Sequence, residues 1–139
     1  MTVWGYILEM PGRPSLKKQR EVLGALGVDI GKTGPLWADK LDRAKRHRTA
    51  GRTQLAGRNS LINSVLAGDT VIVADPMCLG VSPQDAEWFL VLMSDMDVTV
   101  IVNGDLYRIE PGKSAAEVVG EFARKLNVYN ARRSRGLST

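Results

Sequence analysis

Two five-residue runs without a charge, Thr70 to Ala74 (TVIVA) and Val98 to Val102 (VTVIV), constrain the fold of this chain more than any other feature. A strand apolar at nearly every position cannot keep one face in water, so both faces must be covered, as in the interior of a parallel sheet. The segments around these runs alternate in kind. Val3 to Leu8 is apolar and aromatic apart from Gly5, and the Pro11, Gly12, Pro14 cluster ends it. Leu16, Leu23 and Leu26, with Val22, recur at helical spacing, which predicts an amphipathic helix over about 14–26. Leu36, Trp37 and Ala38 predict a brief strand before Asp39, and Leu61, Ile62, Val65 and Leu66 a helical face closed by Gly68. Ser82 as N-cap with Pro83 in the first turn opens a helix through Ala86, Phe89, Leu90 and Met93. Asn103-Gly104 predicts a two-residue hairpin turn leading into an antiparallel strand over 105–109. Ser114 and Glu117 form an S-x-x-E capping box before Val118, Val119, Phe122, Leu126 and Tyr129, a final helix of about four turns. The expected fold is therefore α/β: a three-layer domain with a mostly parallel sheet of four to five strands flanked by helices. It spans residues 1–131, and a short basic tail over 132–139 follows.

Composition removes several alternatives. With 44% hydrophobic and 24% charged residues the chain can bury a normal core. A single cysteine, Cys78, cannot form an intramolecular disulfide, and a single histidine, His47, leaves a zinc site short of ligands. No apolar run reaches membrane-spanning length, and the opening MTVWGYILEM lacks the features of a secretory leader. The expectation is a cytoplasmic protein without membrane contact, metal or cofactor.

Net charge is +4, and its distribution says more than its sum. Lys40, Arg43, Lys45, Arg46, Arg48, Arg52 and Arg58 face one acid, Asp42, across residues 40–58, which predicts a mobile basic loop because Gly51 and Gly57 disfavour one rigid helix. Arg124, Lys125, Arg132, Arg133 and Arg135 gather near the C-terminus, so the two groups hold twelve of nineteen cations. On one side of the molecule they would neutralise several phosphates. A charge run is also what a solvated face looks like; the arginine bias favours bidentate phosphate contact.

Catalytic signatures are sparse. The one histidine stands between Arg46 and Arg48, a poor setting for the base of a serine or cysteine hydrolase. Gly31-Lys32-Thr33 ends like a phosphate loop but lacks the glycine five residues earlier, and reads as a surface turn. Asp39, Asp69, Asp75, Asp95 and Asp97 are candidate magnesium ligands, Asp75 the best placed just after TVIVA and Asp39 its partner in a phosphoryl-transfer reading, although an acid at a strand end is commonly a helix cap. Cys78 has no adjacent base and reads as a small apolar residue.

In order and spacing, several strings resemble the N-terminal catalytic domain of the serine recombinases, the resolvase/invertase family. Gly5-Tyr6 is similar to that family's G-Y-x-R-V-S opening, and Ser15-Leu16-x-x-Gln19 with Leu23-x-x-Leu26-Gly27-Val28 to its first helix. Trp37-Ala38-Asp39-Lys40 resembles its second strand and the basic loop that follows. Gly68-Asp69-Thr70-Val71-Ile72-Val73 and Leu79-Gly80-Val81-Ser82-Pro83-Gln84-Asp85 resemble G-D-x-[LIV]-x-V and L-G-R-x-x-x-D. The resemblance covers about residues 3–102. It departs from the family at the chemistry: Met10 stands at the nucleophilic serine, Leu8 at the arginine two before it, and Ala74 to Val81 lacks the family's aspartate and two arginines. Tyr6, Gln19, Asp39 and Arg58 remain as supporting residues.

The resemblance thus implies a degenerate, catalytically inactive member, retained as a DNA-binding or recombination-associated module in a phage or mobile element. Two alternatives stand beside it: a protein-interaction or structural module with the same fold and no DNA activity, and a magnesium-dependent phosphoryl-transfer or nucleotide-binding enzyme. Val118, Phe122, Leu126 and Tyr129 on the last helix are candidates for self-association as a dimer, with packing against the chain's own sheet as the other reading.

Overall fold

The computed structural model describes residues 1–31, 33–41, 54–103 and 106–137, with side chains to residue 133. The elements run β1 (Val3–Glu9), α1 (Leu16–Ala25), β2 (Leu36–Lys40), α2 (Ala56–Ser64), β3 (Thr70–Val73), a 3₁₀ turn (Pro76–Leu79), α3 (Pro83–Asp95), β4 (Thr99–Val102), β5 (Tyr107–Ile109) and α4 (Ala116–Leu137). The strands form one five-stranded sheet in the order β2-β1-β3-β4-β5. Four are parallel, with Val71 opposite Val100 and Tyr6 opposite Trp37, and β5 runs antiparallel to β4. The fold is the three-layer α/β arrangement expected from the sequence.

The uncharged runs are buried because the sheet is covered on both faces. Along β1, Tyr6 and Leu8 point into one core, while Ile7 between them points into the other. Along β3, Val71 and Val73 share the first core and Ile72 the second. The first core takes Leu61 of α2 and Val65 just beyond its end, Ala86, Phe89, Leu90 and Met93 of α3, and Val118 and Phe122 of α4. Leu23 of α1 is the helical member of the smaller core, which also holds Val28. Gly5 permits this close approach, since a Cβ there would stand 2.8 Å from Leu36 and 2.9 Å from Val28.

The cap expected at α3 forms, with Ser82 Oγ accepting the Asp85 amide and Pro83 in the first turn; at α1, Ser15 Oγ accepts the Lys18 amide, so that helix begins at Leu16 and not at about residue 14. Three other boundaries differ. The basic segment expected as a loop over 40–58 is bounded by structure at both ends: Lys40 closes β2, and α2 already begins at Ala56. The hairpin does not turn on two residues, because Val102 pairs with Tyr107 and leaves a four-residue connection in which Leu106 takes φ 55°. The last helix has 22 residues, about 33 Å of rise, instead of about four turns. It runs through the expected tail because alanine and arginine favour helix and no glycine or proline interrupts 121–135. Ser114 Oγ accepts the amide of Ala116, and that helix starts at Ala116 with Glu117 in its first turn.

Candidate functional site

In a sheet of this type, ligands gather beyond the carboxyl ends of the strands. Here those ends are joined by Arg13, a residue that the sequence alone did not single out. Its Nε donates to Met77 O at 2.8 Å, Nη2 to Gly80 O at 2.8 Å and Nη1 to Pro11 O at 3.2 Å. The guanidinium also lies 5.5 Å from the centre of the Phe122 ring. One side chain thereby ties the loop after β1 to the turn after β3 and to α4. Gly12, at φ +86°, lets the same loop lie against the Tyr129 ring, where a Cβ would stand 3.1 Å from the ring carbons.

These contacts frame a cleft of about 480 Å³ between the two strand-end loops and α4. Its charged wall is made by Arg13, Arg124, Lys125 and Arg132, with Asp75 as the single carboxylate among the lining residues. Lys125 and Arg132 lie seven positions apart on α4, two turns of helix, so they share a face. Asp75 accepts the Met77 amide at 3.0 Å, capping the 3₁₀ turn, and its other oxygen lies 3.5 Å from Lys125 Nζ. Arg124 also pairs with Glu121 one turn back. A concave wall with four cations and one acid focuses positive potential into the opening. A smaller cleft, about 270 Å³, lies across the same loop and is lined by Glu9, Met10, Ser15, Lys40 and Leu41 among others. Met10 itself is buried, 8% exposed, and belongs to the core. No family model matches this chain, and no curated protein matches it.

The structure sorts the predicted nucleic-acid residues into distinct groups. Arg124, Lys125 and Arg132 are brought together in the larger cleft, and Arg133 follows on α4, half-buried. Arg135 lies in the last turns of α4. Lys40 is exposed at the end of β2, while Arg43, Lys45, Arg46, Arg48 and Arg52 lie outside the described residues. Arg58 does not belong with them. It is fully buried, with Nη2 2.7 Å and Nη1 2.8 Å from the Asp85 oxygens and Nη1 also on Leu79 O. Its Nε is buried without an acceptor among the described residues, and the group lies 5.4 Å from the Trp88 ring and 5.3 Å from that of Phe89. A guanidinium enclosed in this way cannot reach a phosphate.

The residues carried over from the family resemblance have structural partners. Asp39 Oδ1 accepts the Gly57 amide at 2.7 Å, and Oδ2 accepts the Arg58 amide at 2.8 Å and the Tyr6 hydroxyl at 2.7 Å. A carboxylate on β2 thus caps the amino end of α2, where its charge complements the helix dipole. Burial and the bond to Asp39 raise the Tyr6 phenol well above its ordinary pKa, so it stays protonated as a donor. Gln19 Nε2 donates to Leu8 O and Pro14 O, and its Oε1 accepts the Leu8 amide, completing the backbone bonding at the end of β1. Burial pushes the Cys78 thiol up to about 12, which keeps it an inert thiol at neutral pH. Among the described residues no group of three or more His, Cys, Asp or Glu side chains is placed to hold a metal ion.

The proposed self-association stripe resolves differently along its length. Val118 and Phe122 are 1% and 0% exposed within the chain's own core, so they are not free to meet a second copy. Leu126 packs against the same core, and Tyr129 covers Gly12. No helix among the described residues is long and apolar enough to cross a membrane.

Proposed function

We propose that the chain is a catalytically inactive, serine-recombinase-like domain that binds DNA through phosphate contacts in the cleft at the carboxyl ends of β1 and β3 and along the basic half of α4. The observation that carries this reading is the convergence of Arg13, Arg124, Lys125 and Arg132, drawn from two segments more than 100 residues apart, on one opening at the ligand-binding edge of the sheet. The order of the family-like strings supports a recombination setting in a phage or mobile element, and the thioether of Met10 at the nucleophile position supports a binding role, since it carries no proton to lose and no oxygen to attack phosphorus. The protein-interaction reading uses the same cleft for an acidic protein surface.

Duplex binding measured over a salt series separates the two. The expected result is a log affinity falling by several units per log unit of salt, with Arg132→Gln reducing that slope by about one and leaving thermal stability unchanged. Absence of duplex binding at low salt would overturn the DNA reading and leave the acidic protein partner.

A further inference from the structure

The cleft carries its own counter-charge. Asp75 projects into a wall of four cations, yet its position is fixed by the backbone, because Oδ1 caps the 3₁₀ turn through the Met77 amide. The remaining oxygen stands 3.5 Å from Lys125 Nζ, where an entering phosphate oxygen would seek its donor. Both side chains are part-exposed, 17% and 28%, so water screens the pair and its replacement by a stronger anion costs little. A neighbouring carboxylate repels every anion, but it is an effective competitor only for ligands that bring one charge at a time.

We propose that Asp75 is a built-in competitor that occupies Lys125 and restricts the cleft to phosphate-dense polyanions. This rests on the anion-binding reading of the cleft and deepens it. A ligand carrying adjacent phosphates gains Arg13, Arg124 and Arg132 together and so displaces the Asp75 carboxylate from Lys125. An isolated carboxylate, as on an acidic peptide, gains too little to do so. Asp75 is thus a specificity-determining residue that acts through Lys125, and it sets a threshold below which the cleft stays closed to anions on its own charge.

The test is Asp75→Asn, which keeps a side-chain oxygen to accept the Met77 amide while removing the charge. Binding of duplex DNA and of inorganic tripolyphosphate is measured for both proteins over a salt series. The expected result is about threefold to tenfold tighter binding of both ligands by the variant, a salt slope steeper by up to about one unit on DNA as the Asp75 charge is removed from Lys125, and new weak binding of a polyglutamate peptide. Lys125→Gln is expected to abolish the gain when combined with Asp75→Asn. Unchanged affinity and slope in Asp75→Asn, with the wild type binding DNA, would overturn the competitor role and leave the DNA reading standing. Tighter tripolyphosphate binding with no duplex binding by either protein would uphold the competitor and overturn the DNA reading. Binding of neither ligand by either protein would overturn both. A melting temperature matching the wild type confirms that the 3₁₀ turn is intact in the variant.

Discussion

Arg58 and Asp85 face each other across the core as a two-pronged ion pair, Nη2 to Oδ1 at 2.7 Å and Nη1 to Oδ2 at 2.8 Å, with 0% and 6% of their side chains exposed. Asp85 also accepts the Val81 amide, and Arg58 reaches Leu79 O, so the pair anchors α2 to the turn that precedes α3. Removing one partner leaves the other charged inside the protein. Arg58→Ala is expected to cost about 3–5 kcal/mol in urea unfolding, and the double replacement Arg58→Met with Asp85→Leu less than either single change. A loss below about 1 kcal/mol for Arg58→Ala would show that the pair is solvated in solution.

Phe122 separates the two roles open to α4. As a fully buried core residue beside Val118, its replacement by alanine is expected to destabilise the isolated chain by about 3–5 kcal/mol. The loss is expected to be the same at every protein concentration. If the apolar stripe instead held two copies together, the difference between wild type and Phe122→Ala would shrink on dilution as the dimer dissociated.

Asp69 ties the amino end of β1 to the turn before β3. Burial by itself would raise its carboxyl, but bonds donated by the Thr2 amide, the Trp4 indole and the Leu66 amide hold it below its ordinary value of 3.8. A lowered folded-state pKa contributes stability that is complete above the unfolded value and fades as the pH falls through the folded one. Asp69→Asn is therefore expected to be clearly less stable than the wild type at pH 6, and the gap to close progressively below about pH 3.8. Thermal melts between pH 6 and pH 2 check this, and a gap independent of pH would assign Asp69 a role without its charge.

How far the sequence could be read depends on the range of each interaction. The runs around Val71 and Val100 declare their burial within five residues, and Ser82-Pro83 states its cap within four, so both were legible. The core position of Arg58 was not, because its surroundings in sequence are basic and glycine-rich while its partner Asp85 lies 27 residues on. Arg13 was hidden for the same reason: it stands alone between Gly12 and Pro14, and its acceptors Met77 and Gly80 come from a distant turn. The length of α4 is not legible locally, because three arginines before a polar end look like a tail, although arginine is a good helix former. The cleft, assembled from residues 12–14, 75–77 and 124–132, was legible only as its basic C-terminal half.

The Asp39 bonds to the amides of Gly57 and Arg58 join positions 18 and 19 residues apart on the chain. Leu41 and Leu55, just inside them, are both buried in the core. One polar clasp and one apolar pair thus fix where the chain leaves β2 and where it enters α2, so the sheet and the first turn of α2 hold each other through described residues alone.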